Sequence, residues 1–137
     1  MKNMMNLGKY GYAYFPSALS SIFSPKLKST AMDGGIYLDK MGARGGGFSL
    51  VKGSETWVKI YPDESDRTEV VVNENIRNFP PSIEAAEEMR RRYKIKGRIE
   101  IKHRISVPIG SGFGTSASSA AGVILAISSL LGQGITL

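Results

Sequence analysis

The chain has 137 residues, with 18 Lys and Arg against 12 Asp and Glu for a formal charge of +6, a single histidine, no cysteine and 42% hydrophobic residues. A chain of this length buries roughly two-thirds of the surface its unfolded form exposes, so it needs no covalent staples. The lack of cysteine excludes disulfide scaffolds, structural zinc sites and sulfur redox chemistry. No run of about 18 uncharged apolar residues marks a membrane span, and Met1 to Tyr12 hold no apolar leader core, so one cytoplasmic domain over 1–137 is expected.

In chain order, Lys9 to Phe15 alternates Tyr10, Tyr12 and Tyr14 as a strand does, and Pro16 is expected to close it. Pro16 to Gly47, rich in Ser, Gly and Lys, then reads as a long loop, and a loop of that length is expected to be either functional or partly ordered by a ligand. Phe48 to Lys52, Thr56 to Tyr61 and Arg67 to Asn73 are three strand candidates, with turn material at Gly53-Ser54 and Pro62 to Ser65, and they predict an antiparallel meander. Beyond Phe79-Pro80-Pro81 a helix of about three turns is predicted. Ser82 is its N-cap, Glu84 lies in its first turn, Ile83, Ala86, Met89 and Tyr93 form its apolar stripe, and Gly97 ends it. Arg98 to Val107 alternates strictly, with Ile99, Ile101, His103, Ile105 and Val107 on the apolar parity, and predicts a half-buried strand. A second, buried helix is expected to begin near Thr115 or Ser116, run through the small and aliphatic residues Ala117 to Leu131, and close at Gly132 and Gly134. The fold class is therefore α+β, an antiparallel or mixed sheet with helices on one face.

The chemistry concentrates in Pro108-Ile109-Gly110-Ser111-Gly112-Phe113-Gly114-Thr115-Ser116-Ala117, between that strand and that helix. Alternate glycines let the backbone approach a ligand and turn N–H groups toward it, and a helix N-terminus favours phosphate through its unpaired donors and its dipole. Thr115, Ser116, Ser118 and Ser119 add hydroxyls that can meet phosphate oxygens or enter the shell of Mg²⁺, an ion that prefers oxygen and keeps several waters. The bland alternative is a glycine-rich turn with a serine cap. Spacing excludes a Walker A loop, since no Gly-Lys-Ser/Thr follows, and a dinucleotide fingerprint, since the third glycine is missing from its place.

PIGSGFGTSAS resembles the second motif of the GHMP kinases (galactokinase, homoserine kinase, mevalonate kinase, phosphomevalonate kinase), written PxGxGLGSSA, with Phe113 for the leucine and Thr115 for a serine. Gly42-Ala43-Arg44-Gly45-Gly46-Gly47 before Phe48 is similar to the glycine-arginine-glycine segment of archaeal pantoate kinases. Phe15 to Phe23 aligns with the family's PGH-type loop, although Ser17 and Ala18 replace its glycine and histidine. The resemblance implies the N-terminal half of a GHMP kinase, with the fold also found in a small-subunit ribosomal protein domain and with the C-terminal domain absent from this sequence. It further implies transfer of the γ-phosphoryl group of ATP to the primary hydroxyl of pantoate. Pro108, Gly110, Ser111, Gly112, Phe113 and Gly114 would cradle phosphate, and Ser116, with Thr115 or Ser119 as second choice, would meet Mg²⁺ and the β- and γ-oxygens. Arg44 would pair with the substrate carboxylate, as a planar guanidinium does well. The expected partners are that carboxylate, the missing half of the kinase and, as an option, a second copy; neither a membrane nor nucleic acid is expected.

Other residues carry weaker signals. Lys26 and Lys28 could meet phosphate or substrate charge, and Asp33 or Asp39 could accept a proton or hold metal. His103 reads as a buried, hydrogen-bonded histidine, and Trp57 with the three tyrosines as core or sheet-face residues. Two alternatives remain: a GHMP kinase acting on mevalonate, shikimate or homoserine, and an RNA-binding module using the basic residues between Arg90 and Arg104.

Overall fold

Strict alternation from Arg98 to Ile105 produces β4 (Arg98–Ile105), the strand about which the remaining elements are arranged, with Ile99, Ile101, His103 and Ile105 all buried. The computed structural model describes residues 10–26 and 42–133. Asp33, Asp39 and Lys28 lie outside the described residues, as does the side chain of Lys26. The element order is β1 (Gly11–Lys26), β2 (Gly42–Tyr61), β3 (Thr68–Val72), α1 (Pro80–Tyr93), β4 and α2 (Thr115–Leu130). The sheet order is β1-β2-β4-β3; β1, β2 and β4 pair antiparallel, whereas β3 pairs parallel with β4.

Several expectations need correction. Pro16 does not close β1, which continues to Lys26. Proline lacks a ladder donor, but β1 is an edge strand, where one side of the backbone has no partner to lose. The long loop from Pro16 to Gly47 is accordingly replaced over much of its length by the paired ends of β1 and β2. Phe48–Lys52 and Thr56–Tyr61 are one strand rather than two, because Gly53 is not a turn. It lies where β1 comes so near that a Cβ would sit 2.2 Å from the Phe15 carbonyl oxygen. The meander does not form either: β3 reaches the far side of β4, and α1 supplies the crossover that a parallel pair requires.

Ser82 is not the N-cap of α1, which starts two residues earlier at Pro80 after Phe79. Its hydroxyl is buried and engaged elsewhere, as described below. Gly97 is not the helix stop. Lys94, at φ 52°, ends α1 in the left-handed region and gives its N–H to the Arg90 carbonyl. Gly97 instead lets β4 start beside β2, since a Cβ there would meet the Tyr61 carbonyl oxygen at 2.1 Å. Arg90, far from being a solvated surface charge, donates to the carbonyls of Gly97 at 2.7 Å and Arg67 at 2.9 Å and so joins the end of α1 to the starts of β4 and β3.

Both helices cover one face of the sheet. The rung Ala13–Thr56–His103–Val72 points inward across all four strands, as does the apolar rung Val58–Ile101–Val70 beside it. The adjoining rungs turn Tyr12, Trp57 and Lys102, and then Tyr14, Glu55 and Arg104, to the opposite face. Among the described residues no helix is long and apolar enough to cross a membrane.

His103 organises the polar part of the core. Thr56 Oγ1 lies 2.9 Å and Ser54 Oγ 3.4 Å from its Nδ1, and Ser82 Oγ lies 2.7 Å from its Nε2, so β2 and α1 meet through one imidazole. Neutral imidazole matches this ring of hydroxyls, and burial lowers its pKa from 6.5 to about 4. The unfolded chain therefore takes up a proton as pH falls through 6.5, whereas the folded chain does so only near 4. From this group, stability should be unaffected above pH 6.5, decline between 6.5 and 4 by about 3 kcal/mol in all, and change no further below. Urea unfolding at pH 7.5, 5.5 and 4.5 should show this slope, and His103→Gln should lose it; a variant retaining the wild-type slope would assign the pH dependence to other groups. Gly122 of α2 packs over the same cluster, where a Cβ would stand 2.3 Å from Thr56 Oγ1. Gly122→Ala should cost about 1–3 kcal/mol in the same assay.

Candidate functional site

Three glycines shape the connection between β4 and α2. Gly110 at φ 76°, Gly112 at φ 81° and Gly114 at φ 63° are left-handed, and a Cβ at Gly110 or Gly112 would meet nothing within 4 Å. The first two are therefore needed for backbone direction rather than for room. The loop leaves Pro108, Gly110, Ser111 and Gly112 exposed and Phe113 half-buried. It delivers the chain to Gly114, the N-cap of α2, which has no side-chain cap. The first turn of a 16-residue helix thus presents backbone donors with no side chain to satisfy them, next to exposed backbone of the glycine loop.

The hydroxyls of that first turn divide by direction. Ser116 is exposed at the helix start. Thr115 is buried. Ser119 is fully buried, and its hydroxyl donates back into the helix to the Thr115 carbonyl at 2.7 Å and the Ser116 carbonyl at 3.1 Å. Of the four hydroxyls noted in the sequence at this end, Ser116 alone faces solvent, joined by Ser111 from the loop. Among the described residues no group of three or more His, Asp or Glu side chains is placed to hold a metal. A divalent ion here would take oxygen from Ser116 and otherwise from its own ligand and water, which suits Mg²⁺.

Arg44 lies elsewhere. It is exposed on β2 opposite Ser24 of β1, within the two-stranded arm that extends past the end of β4 pairing at Ser54. The loop touches that arm at Ala18, whose N–H donates to the Phe113 carbonyl at 3.2 Å. Ala18 and Ser24 are six residues apart on β1, a contour of about 20 Å that twisting of the ribbon shortens in space. The described structure thus places Pro108 to Ser116 around the start of α2 and Arg44 farther along the arm that Ala18 joins to the loop.

Sequence reasoning did not place Ser17 and Ala18 at this site. Ser17 and Ser118 are both buried, their hydroxyl oxygens 3.5 Å apart, at the junction of β1 with the first turn of α2. A signal existed, since the tyrosine alternation stops at Pro16 and the next two residues are those that depart from the PGH-type loop. The basic cluster proposed for RNA is largely neutralised: Arg91 pairs with Glu88, Arg98 with Glu69, and Arg104 with Glu55, whose carboxyl is held below the usual range by the Arg104 guanidinium.

The family model described as GHMP kinases N terminal domain matches residues 82–137, the stretch that holds most of α1, all of β4, the loop and α2. No curated protein matches the chain. Among solved structures, a phosphotransferase related to the CoA biosynthesis pathway is 24% identical with a TM-score of 0.67 over 92% of this chain and 41% of its own. A homoserine kinase from Cytophaga hutchinsonii is 16% identical, at 0.63, over 99% and 39%, and a mevalonate kinase from methicillin-resistant Staphylococcus aureus is 14% identical, at 0.59, over 93% and 41%. The chain spans about two-fifths of the length of these structures. With its mixed four-stranded sheet, two helices on one face and a glycine loop ahead of the second, the chain has the fold of the GHMP-kinase N-terminal domain.

Proposed function

We propose that this chain is the nucleotide-binding portion of a cytoplasmic GHMP kinase that transfers the γ-phosphoryl group of ATP to a hydroxyl of a small carboxylic acid, with pantoate the first candidate. The observation that carries the reading is the left-handed glycine loop opening onto an uncapped helix with Ser116 exposed at its start. Those donors suit a triphosphate, and the match of residues 82–137 to the family model supports the same assignment. The pantoate assignment rests on the arginine-glycine segment at Gly42 to Gly47 and is supported by the likeness in fold to a phosphotransferase of the CoA pathway.

In such a reaction the bond between the γ-phosphorus and its bridging oxygen breaks as the acceptor oxygen attaches, and the hydroxyl proton leaves to a base. Catalysis of so loose a transition state is mostly positioning and charge neutralisation. The loop N–H groups would hold the phosphates in line, and Ser116 Oγ would lend an oxygen to Mg²⁺, which supplies neutralisation of the developing charge when bound. Arg44 would take the acceptor carboxylate. The acceptor site and the base would be completed by a C-terminal half of the kinase.

Calorimetric titration of MgATP into the chain at moderate salt tests the nucleotide site. Binding should need Mg²⁺ and weaken about tenfold in Ser116→Ala, in keeping with loss of a bond to a charged group. An RNA oligonucleotide run in parallel should bind weakly or not at all; salt-sensitive RNA binding without MgATP binding would favour the binding-module alternative. In the kinase joined to its C-terminal half, Arg44→Ala should raise KM for pantoate at least tenfold and leave MgATP affinity alone. An unchanged KM would remove Arg44 from the acceptor site.

A further inference from the structure

The β1–β2 ribbon loses its register where it passes the phosphate loop. Pairing runs regularly from Gly11 opposite Val58 to Pro16 opposite Gly53 and resumes at Ala18 opposite Ser49, which leaves Ser17 without a partner on β2. Such irregularities re-aim single residues, and they concentrate beside functional sites. Here Ser17 turns into the core, 1% exposed, with its oxygen 3.5 Å from that of Ser118, which is as deeply buried and donates to the Thr115 carbonyl at 3.2 Å. The next residue turns to the loop. Ala18 N–H donates to the Phe113 carbonyl at 3.2 Å, and the Ala18 carbonyl oxygen lies so near Gly114 that a Cβ there would stand 3.3 Å from it.

The consequence concerns the direction of one peptide unit. The Phe113–Gly114 bond is trans, so its N–H points opposite to its carbonyl. With that carbonyl held toward β1, the Gly114 N–H faces away from β1 at the uncapped start of α2, and no acceptor takes it among the described residues. Without the Ala18 bond this peptide, flanked by a left-handed glycine, could rotate and present its carbonyl to the ligand instead, which would repel an anion.

We propose that Ser17 and Ala18 form a positioning device for phosphate. Ser17 anchors the irregularity to α2 through Ser118, and Ala18 fixes the Phe113–Gly114 peptide so that the Gly114 N–H is directed at a bound phosphate oxygen. The inference rests on the nucleotide reading above and adds the residues that hold the loop in its binding orientation. Neither touches the ligand.

The test follows the Gly114 amide resonance of the ¹⁵N-labelled chain during titration with MgATP and, separately, with inorganic tripolyphosphate. In the wild type both probes should move the Gly114 amide proton downfield, as a new charge-assisted bond does. Ser17→Ala should weaken both by about fivefold, the scale of one neutral hydrogen bond, and should shrink the Gly114 shift at saturation, a change that loss of stability alone would not cause. Should Ser17→Ala fail to fold, Ser118→Ala removes the other hydroxyl of the pair and should give the same two effects. A folded variant with wild-type affinity and a wild-type Gly114 shift would overturn the positioning role while leaving the nucleotide site standing. If the wild-type amide responds to neither probe, the nucleotide reading falls and the positioning role falls with it.

Discussion

The close approach of α2 to the sheet is the constraint from which the remaining geometry follows. At Gly11 a Cβ would meet the Ala126 carbonyl oxygen at 2.0 Å, and at Gly122 it would meet Thr56 Oγ1 at 2.3 Å, so strand and helix touch at backbone distance because a side chain is missing from each contact. Packing at that distance leaves the start of α2 little freedom. The helix also carries Val123, Ala126 and Ile127 into the shared core, fully buried, so the position is stabilised by burial as well as by fit. The loop from Pro108 to Gly114 has only to bridge a fixed strand end and a fixed helix start, and its three left-handed glycines are the residues that can do so.

A polar layer beneath this packing gives the core its register. His103 gathers hydroxyls from β2 and α1, while Ser17 and Ser118 join β1 to α2. Leaving any of these groups unsatisfied costs about 1–3 kcal/mol, so the alternative in which a strand slips by one residue is disfavoured beyond the loss of apolar contact. The same economy of partners runs over the surface. Arg90 binds carbonyls of Gly97 and Arg67, and Arg104 and Arg98 sit among glutamates of neighbouring strands, so the formal charge of +6 does not form a free basic patch on the α1–β4 side.

Where one segment decides its own structure, the sequence was readable. The alternation of β4, the small-residue helix α2 and the glycine loop between them each carry a local pattern, and the structure has all three within a residue or two of the expected bounds. Pairing was not readable. Nothing in Thr68–Val72 says that it will lie parallel to β4 rather than beside β2, since that depends on where α1 returns the chain. Glycine misled twice: Gly53 and Gly97 look like punctuation, yet both are sites where two backbones nearly touch. Ser82 misled for a related reason, because a hydroxyl placed to cap a helix is instead drawn to a histidine 21 residues further on. At the site, the three glycines are left-handed and Ser116 is exposed. The inward turn of the Ser119 hydroxyl and the separation of Arg44 from the loop depend on helix phase and ribbon length, which composition does not encode.

The contact between Ser17 and Ser118 also bears on how the domain is made. The two residues are 101 positions apart, so the first strand must wait for the last helix before their side of the core can close. Contacts of that sequence separation slow folding, because loop entropy is lost before the contact repays it. A nascent chain that has emerged only as far as β4 has all four strands of the sheet but neither the helix start nor the contact between Ser17 and Ser118. The loop from Pro108 to Gly114 therefore takes its final shape only once α2 has joined β1, and a ligand that needs this loop selects chains in which the two have already met.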